Sequence, residues 1–358
     1  MERATITEIA ARAGVSRYSV SRILSGKPGH AADTCARVRA IAQELNYTPN
    51  PFANALRLRK TGIAGLLLLN RYMHGEGNVP QPVGFFQQFV SAMQIELINN
   101  DLQILLGAVT PEQLQRRELP SMVTKGYVDG LIYVYHADEG YARLLAARCP
   151  KLVLLEGDLP GFTSVVTDDF GGGRLAAEHL WGLGHRHFAL VNHHHADPLL
   201  ERRLNGFRDA VRRLARRDGG LPLFVDDAFD VAGGVQAARA FLAAAGPATA
   251  LFCANDHLAV NVMRELAAAG VKVPEAVSVV GFDNAEWSAT SQPALTTVDK
   301  RRPELGHLAV QQLLRLLGGD LTPQTIMLPP TLVSRGSTAA VPGTGSRPSR
   351  ADSNGVIV

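Results

Sequence analysis

Apolar residues recur at helical spacing over the first 45 positions of the chain. The inward positions are Ile9, Ala10 and Ala13 of a first helix and Val20, Ile23 and Leu24 of a second. Thr5 and Glu8 form the Ser/Thr-x-x-Glu pattern that begins a helix near Ile6. Gly14 permits the backbone conformation that ends this helix, and Ser16 is a natural N-cap for the next one. The pattern predicts two short helices separated by a tight turn.

The second helix has a polar outward face. Its outward positions are Arg17, Tyr18, Ser21 and Arg22. These side chains could belong to an ordinary surface hairpin, but they can also reach base edges and phosphates in a major groove. A third helix that Asp33 can cap continues to Leu45 and completes a three-helix unit. We interpret the segment as a helix-turn-helix whose second helix reads DNA.

From Gly62 onward, strands and helices alternate. A first run comprises strands 63–69, 103–107, 130–135 and 152–155 and helices 85–98, 111–124 and 141–147. A second run comprises strands 165–166, 188–191, 223–225, 250–253 and 277–281 and helices 174–183, 205–214, 234–244 and 258–268. Continuous apolar strands separated by helices indicate parallel sheets covered on both faces. After Pro293, helix 303–317 and strands near Ile326 and Leu332 are expected to return to the first lobe.

The predicted fold class is α/β, with an all-α headpiece followed by two doubly wound parallel sheets. The two lobes and the cleft between them resemble the layout of periplasmic binding proteins. The predicted parts are a headpiece (1–48), a hinge or linker (49–61), a core (62–340) and a disordered Ser/Gly/Pro-rich tail (341–358). Within the core, lobe 1 is expected to span about 62–160 and 293–335, and lobe 2 about 161–292.

Charge is distributed unevenly along the 358 residues, whose net charge is +3. The first 60 residues hold ten Lys/Arg and four Asp/Glu, a net charge of +6, so the rest of the chain sums to −3. A basic N-terminal module on a mildly acidic body fits a head that binds a polyanion. The pattern therefore favours nucleic acid as a partner of the headpiece.

Cysteine content and hydropathy indicate the compartment. Cys35, Cys149 and Cys253 are scattered, which indicates neither a disulfide framework nor a metal knuckle. The start Met-Glu-Arg-Ala lacks a hydrophobic signal region, and no apolar run reaches the ~20 residues that a membrane span needs. We expect a cytoplasmic protein with no membrane partner.

Three motifs stand in order over residues 5–57. They are Ile-x-x-Ile-Ala-x-x-Ala-Gly-Val-Ser-x-x-Ser-Val-Ser-Arg, Asn-Tyr-x-Pro-Asn and Ala-x-x-Leu. This region closely resembles the DNA-binding headpiece of the lactose-repressor/galactose-repressor (LacI/GalR) transcription regulators. The core carries further strings typical of that family, at residues 178–186, 203–208, 254–256 and 280–284. The resemblance extends over roughly residues 5–335.

The resemblance implies a hinge helix after Pro49 that becomes ordered on operator DNA. Leu56 would enter the minor groove as an apolar wedge. The alternative is a plain interdomain linker whose Leu56 packs on the body. The predicted DNA-binding residues are Thr5, Ser16, Arg17, Tyr18, Ser21, Arg22, Thr34, Tyr47, Asn50, Ala53 and Leu56.

Polar residues follow the strands of the second run. In open α/β sheets, ligands bind beyond the carboxyl ends of the strands. The pairs that topology places there are Asp168-Asp169, Asn255-Asp256 and Asp283-Asn284. Asp169 or Asp256 could instead cap the helix that follows. The guanidinium of Arg203 adds a planar set of hydrogen-bond donors that suits vicinal hydroxyls or a carboxylate.

The resemblance implies that Arg203, Asn255 and Asp283 contact an effector, with Asp168 as a weaker candidate. Phe86 could stack on a ring of the effector. The segment from Asn70 to Phe86 departs from the family's usual Pro-Asp-x-x-Asn-Pro-Phe-Phe sequence, with a valine at position 83 in place of the asparagine. A standard hexose effector is therefore in question.

His193-His194-His195 raises the possibility of a metal site. Adjacent histidines on a strand point in alternate directions, and no acidic or cysteine residue lies at ligand spacing. A loop at the cleft rim is the favoured interpretation. We expect no metal and no cofactor.

These features together predict a transcription regulator, most simply a repressor. It would bind a pseudo-palindromic operator as a homodimer. A sugar, sugar-like or nucleoside effector in the interlobe cleft would control that binding. A solute-binding protein of a transporter is disfavoured by residues 5–57 and by the missing signal region. An enzyme is disfavoured because the phosphate-binding, dinucleotide-binding, zinc-protease and serine-hydrolase motifs are absent.

Overall fold

The computed structural model describes residues 4–26, 28–47, 60–69, 74–75, 79–80, 84–134, 138–192, 198–218, 224–230, 234–244 and 246–341. The predicted hinge residues Asn50, Ala53 and Leu56 lie outside these ranges, as do the histidines 193–195 and the tail from 342 onward. Among the described residues, no helix combines the length and apolar character needed to cross a bilayer.

Three helices form the N-terminal module. They are α1 (Ile6–Ala13), α2 (Arg17–Leu24) and α3 (Ala32–Glu44). The Thr5 hydroxyl accepts a hydrogen bond from the Glu8 N–H at 3.3 Å, and Gly14 ends α1 at φ 66°. The Ser16 hydroxyl caps α2 by accepting from the Ser19 N–H at 3.0 Å. The predicted beginning of α1 and the predicted turn are confirmed.

The start of α3 differs from the prediction. Ala31 occupies the N-cap position, and Asp33 lies inside the first turn without capping it. Asp33 can still favour the helix, because a carboxylate in the first turn interacts well with the helix dipole. The fully buried residues that join the three helices are Ile9, Val20, Ile23 and Val38. Ile9, Val20 and Ile23 are thus buried as the pattern predicts, whereas Leu24 is only half-buried.

The remaining elements alternate as predicted. The strands are β1 (Ile63–Leu69), β2 (His74–Gly75), β3 (Val79–Pro80), β4 (Gln103–Val109), β5 (Gly130–Val134), β6 (Leu152–Leu155), β7 (Thr163–Thr167), β8 (His187–Asn192), β9 (Phe224–Asp230), β10 (Ala250–Cys253), β11 (Ser278–Phe282), β12 (Thr296–Asp299), β13 (Thr325–Leu328) and β14 (Thr331–Val333). The helices are α4 (Gly84–Asn99), α5 (Pro111–Gln115), α6 (Ser121–Thr124), α7 (Glu139–Arg148), α8 (Asp169–Gly182), α9 (Pro198–Arg217), α10 (Gly234–Ala244), α11 (Asp256–Ala268), α12 (Glu286–Thr290) and α13 (Arg302–Leu317).

Two six-stranded sheets form two lobes. The sheet of lobe 1 has the order β13-β7-β6-β5-β1-β4 and is parallel throughout. The sheet of lobe 2 has the order β14-β12-β11-β10-β8-β9, in which only β14 runs antiparallel to its neighbour. Strands β2 and β3 pair separately as a short antiparallel ladder. Residues 130–134 and 250–253 are buried throughout, as expected for central strands covered by helices on both faces.

The predicted lobe boundaries are wrong at three strands. Strand β7, which was expected in lobe 2, pairs with β6 and β13 in lobe 1. Strands β12 and β14, which were expected in lobe 1, belong to the sheet of lobe 2. A short apolar run indicates a strand, but it does not indicate which of two similar sheets the strand joins. The first transfer to lobe 2 therefore follows Thr167.

One predicted helix is interrupted. The range 111–124 contains α5 and α6, separated by Arg117 at φ 58° and by Pro120. A left-handed residue followed by a proline ends the regular helical hydrogen bonding. Helix α12 and strand β12 were not predicted; β12 has the sequence Thr-Thr-Val-Asp and lacks the continuous apolar run that identifies the central strands.

The chain passes between the lobes at residues 167–169, 299–302 and 328–331, which we call the crossover cluster. The Asp168 N–H donates to the Leu328 carbonyl at 3.0 Å, which ties the first crossover to the third. Lys300 Nζ lies 2.9 Å from Glu156 Oε2, and neither side chain is exposed. The Thr167 hydroxyl donates to the other oxygen of Glu156 at 2.6 Å. This buried ion pair fixes the second crossover to lobe 1.

Helices α8 and α9 approach each other closely through glycine. A Cβ at Gly173 would lie 1.8 Å from the Arg203 carbonyl oxygen, and one at Gly206 would lie 2.0 Å from the Phe170 carbonyl oxygen. Only residues without a side chain allow the two backbones to come so close. This approach places Arg203 of α9 beside the beginning of α8.

Substitution of Gly173 by alanine is expected to destabilise the protein by about 1–3 kcal/mol or more, because two backbones have to separate. Gly182 lies on the same helix, and a Cβ added there would meet no heavy atom within 4 Å. Gly182→Ala is therefore the matched control, and it is expected to be neutral or to stabilise by up to about 1 kcal/mol. Urea unfolding of both variants measures the difference, and equal stabilities would contradict the close-packing account.

Candidate functional site

Helix α2 presents an exposed polar face. Tyr18 is 68% exposed, and Arg17 is exposed beside it. The guanidinium of Arg22 lies 5.8 Å from the centre of the Tyr18 ring and donates through Nη2 to the Pro28 carbonyl at 2.7 Å. Within the described residues, Arg17 has neither a hydrogen-bond nor an ion-pair partner. Tyr18 and Arg22 are thus held against each other, while Arg17 can extend toward a ligand.

The remaining predicted DNA-binding residues of the headpiece have local roles. The hydroxyls of Thr5 and Ser16 cap α1 and α2. Thr34 is half-buried near the start of α3, and the Ser21 carbonyl accepts from the Ser25 hydroxyl. Tyr47 packs on the headpiece core, and burial raises the pKa of its phenol. These residues therefore lie on α2 or near the ends of α1, α2 and α3.

Arg203 lies in the second turn of α9 and is 3% exposed. Its Nε donates to Asp169 Oδ1 at 2.8 Å, and its Nη1 donates to the Ala254 carbonyl at 2.7 Å. The guanidinium carbon lies 3.9 Å from the centre of the Phe282 ring. The helix begins seven residues before the predicted start at 205, so Arg203 is held by α9 rather than by a preceding loop.

Asp283 follows β11 and receives arginines from both lobes. Its Oδ1 lies 3.5 Å from Arg203 Nη1 and 3.2 Å from Nη2 of Arg302, which begins α13. Arg302 Nη1 also donates to the Asp283 carbonyl at 2.6 Å. The backbone of Asp283 has φ 120°, a conformation that L-residues rarely adopt. The structure therefore brings the predicted residues Arg203 and Asp283 together and adds Arg302 to them.

Asp168 and Asn255 are N-cap residues. Asp168 Oδ1 accepts from the Gly171 N–H at 2.8 Å, and Asn255 Oδ1 accepts from the Leu258 N–H at 2.8 Å. The alternative that Asp169 or Asp256 caps the following helix is wrong. Each is the first residue of its helix, one position beyond the cap, and its side chain points into the protein.

Asp256 is buried next to Asp283. Its two carboxylate oxygens accept hydrogen bonds from the Ala285 N–H and from the Thr297 hydroxyl. Burial, and then the negative charge of Asp283, raise the pKa of Asp256 to about 8, although the hydrogen bonds oppose this shift. We call Asp169, Arg203, Asp256, Asp283 and Arg302 the interlobe cluster.

Arg302 was not identified from the sequence. It follows the carboxyl end of β12, so the same topological rule applies to it as to Asp283. The rule was not applied because β12 was not predicted and its residues were assigned to the other lobe. The signal present in the sequence is the run Lys300-Arg301-Arg302, in which basic residues follow a buried strand.

Other predicted positions are only partly described. Phe86 belongs to α4, but its side chain lies outside the described part of the chain, as do Val83 and the segment 70–73. The described residues contain no group of three His, Cys, Asp or Glu side chains that could hold a metal ion. Cys35, Cys149 and Cys253 are free thiols.

Comparisons with known proteins agree with both parts of the chain. Residues 5–50 match the family described as bacterial regulatory proteins, lacI family, and residues 177–338 match a periplasmic binding protein-like domain. The chain is 34% identical to the HTH-type transcriptional regulator reg1 of Streptomyces lividans, over 96% of this chain and 99% of that protein.

Solved structures extend the similarity to the whole fold. A lac repressor dimer bound to operator and the anti-inducer ONPF superimposes with a TM-score of 0.80 at 26% identity, covering 95% of this chain and 100% of that one. The transcriptional regulator CelR in complex with cellobiose gives a TM-score of 0.67 at 25% identity, covering 94% and 100%.

The raised pKa of Asp256 predicts a specific dependence of stability on pH. An aspartate in the unfolded chain ionises near pH 4, whereas folded Asp256 ionises near pH 8, so between these values the folded state binds the extra proton. This contribution therefore stabilises the fold at low pH and is lost as the pH rises toward 8, by up to about 1.4 kcal/mol per pH unit. Asp256→Asn, which can bond both Ala285 and Thr297, removes this slope.

Urea unfolding of both proteins from pH 5 to pH 9 provides the measurement. All other titrating groups are common to the two proteins, so the difference between their slopes reports Asp256 alone. Identical pH profiles would contradict a buried, protonated Asp256.

Proposed function

The chain belongs to the lacI family of bacterial regulatory proteins, and from this premise we propose that it is a repressor whose operator binding is controlled by a small polyhydroxylated effector in the interlobe cleft. The observation that carries the proposal is the interlobe cluster, which joins buried donors and acceptors from both lobes in a chain that also has an exposed reading helix. Because the target is chromosomal DNA, the proposed location of the protein is the cytoplasm.

The DNA-binding part of the proposal is supported by the face of α2. Arg17 and Tyr18 stand at the beginning of the helix, where side chains of a helix-turn-helix meet base edges. The net charge of +6 over the first 60 residues supplies attraction to phosphates that does not depend on sequence. A homodimer would place two such helices on a pseudo-palindromic operator.

The effector chemistry follows from the interlobe cluster. Arg203 offers a planar fork of donors, and Asp283 offers a carboxylate that can accept from hydroxyls. Asp169 Oδ2 is buried and accepts no hydrogen bond in the described structure. The Phe282 ring lies in the core of lobe 2 and packs against the Arg203 guanidinium, which it helps to hold in place. Sugars, sugar-like compounds and nucleosides combine hydroxyls with apolar ring faces, and we propose an effector from these classes.

Coupling between the sites requires a change in the arrangement of the lobes. The chain enters lobe 1 through β1 directly after the proposed hinge at 49–61, so movement of lobe 1 can alter how two hinges meet on DNA. We propose that Asn50, Ala53 and Leu56 contact the operator there, with Leu56 in the minor groove. Effector binding at Arg203, Asp283 and the caps Asp168 and Asn255 would change this geometry.

Substitution of Arg17 by alanine is expected to relax base preference at one symmetric operator position, at a cost of about 1–3 kcal/mol for a bidentate contact. Arg39→Ala removes the same charge from an exposed position on α3 and is the matched control. Binding-site selection with each protein is the measurement. An unchanged site preference for the Arg17 variant would remove it from the reading surface.

Substitution of Asp283 by asparagine is expected to abolish the response of operator binding to effector. A ligand hydroxyl loses its charged acceptor, at about 1.5–3 kcal/mol. A thermal-shift panel of sugars and nucleosides, beginning with cellobiose, supplies the ligand, and operator titration follows. A wild-type response from the variant would place the effector elsewhere.

A further inference from the structure

Arg302 connects the two lobes directly. It begins α13, whose Leu305 and Leu313 belong to the hydrophobic core of lobe 1. Its guanidinium reaches lobe 2, where Nη1 donates to the Asp283 carbonyl at 2.6 Å and Nη2 lies 3.2 Å from Asp283 Oδ1. Only 1% of Arg302 is exposed. The contact therefore lies inside the junction of the lobes and not at its rim.

Arg302 approaches the carboxylate that is proposed to bind the effector: its hydrogen bond goes to the Asp283 carbonyl, and its ion pair goes to Oδ1, which accepts no hydrogen bond within the described residues. Asp283 Oδ1 faces Arg203 from lobe 2 and Arg302 from lobe 1, at 3.5 and 3.2 Å. The negative charges of Asp169 and Asp283 balance the positive charges of Arg203 and Arg302. A ligand that donates hydrogen bonds to the Asp283 carboxylate has to share or displace the ion pair that Arg302 makes with it.

The crossover cluster prevents Arg302 from following lobe 2. Lys300 is anchored to Glu156 of lobe 1 at 2.9 Å, two residues before Arg302. Arg301 pairs with Glu304 on α13 and donates to the Pro329 carbonyl at 3.2 Å, but these groups are partly exposed and contribute little, so the buried Lys300–Glu156 pair is the anchor. Because the start of α13 is fixed in this way, separation of the lobes has to break the Arg302–Asp283 contact.

We propose that Arg302 is an internal competitor of the effector, a specificity-determining residue that occupies Asp283 and holds the lobes together while the cleft is empty. This inference rests on the proposed function of the cleft and adds a requirement on the ligand. The ligand has to present two neighbouring donors, as the adjacent hydroxyls of a sugar ring do, in place of the two nitrogens of the guanidinium. Ligands with a single hydroxyl do not displace it.

Competition between Arg302 and the ligand for Asp283 also sets the apparent affinity of the protein for the ligand. A ligand that binds only the fraction of molecules in which Arg302 has left Asp283 has its apparent dissociation constant raised by the inverse of that fraction. Removal of the guanidinium therefore strengthens binding of a diol ligand, whereas loss of an ordinary contact residue weakens it. The sign of the change distinguishes a competitor from a contact residue.

The experiment compares Arg302→Met with Arg301→Met in the full chain. Both variants remove one guanidinium from neighbouring positions of the same crossover, but Arg301 does not contact Asp283. Spin labels on cysteines at the exposed positions Lys125 in lobe 1 and Glu275 in lobe 2 report the interlobe distance, in a Cys35→Ser background. Cys149 and Cys253 are buried and do not compete for the label.

Without any ligand, the Arg302→Met protein is expected to give a longer and broader interlobe distance distribution than the wild type, and the Arg301→Met protein is expected to match the wild type. Arg302→Lys, which keeps the charge but loses the fork, is expected to lie between them and serves if the methionine variant does not fold. Unchanged distances in both Arg302 variants would overturn the proposal.

A ligand titration tests whether removal of the Arg302 guanidinium strengthens or weakens ligand binding. Cellobiose is used as the probe. The Arg302→Met protein is expected to bind cellobiose about tenfold more tightly than wild type, as the loss of one charged hydrogen bond to a competitor implies. Weaker binding would show that Arg302 contacts the ligand and would overturn the competitor role. If cellobiose binds neither protein, the interlobe distances measured without ligand still test the role of Arg302. Whether the cleft is the effector site is tested separately, by the response of the Asp283→Asn protein to effector.

Discussion

The rest of the structure depends on the interaction of the buried Asp283 carboxylate with two arginines. Two arginines from different lobes converge on it, and Asp169 balances the second positive charge. In a site removed from water, each of these charges needs its partners, because removal of one leaves another buried and uncompensated. The close approach of α8 and α9 through Gly173 and the anchored start of α13 both serve to bring these charged groups to one place.

This arrangement gives the two-lobed core a physical means of responding to a ligand. The chain passes between the lobes at the crossover cluster, where the Glu156–Lys300 pair is buried. A non-covalent contact that spans the lobes can be exchanged for a ligand, whereas the covalent crossovers cannot. The headpiece is a separate packed unit with its own core, so it can be repositioned as a whole. Control of DNA binding then needs only a change in how the hinge segments of two subunits are presented.

Local chemistry made much of this predictable from sequence. Thr5, Gly14 and Ser16 indicate where helices begin and end because capping depends on one or two residues. Arg203 and Asp283 were placed at the lobe junction by the rule for strand ends and by the family resemblance. The sheet to which β7 and β12 belong could not be predicted, since it depends on pairing between distant segments, and Arg302 was missed for the same reason. The roles of the Phe86 side chain and of the hinge residues remain predictions.

The central claim is that a ligand in the interlobe cleft controls operator affinity, and one titration tests it most directly. Operator DNA obtained by binding-site selection is titrated with the wild-type chain at fixed salt, with and without a ligand that raises the melting temperature. The account predicts that saturating ligand changes the operator Kd by roughly 5- to 150-fold, the usual range of allosteric coupling, and leaves the Kd for random DNA unchanged. An operator Kd that stays the same while the ligand is demonstrably bound would contradict it.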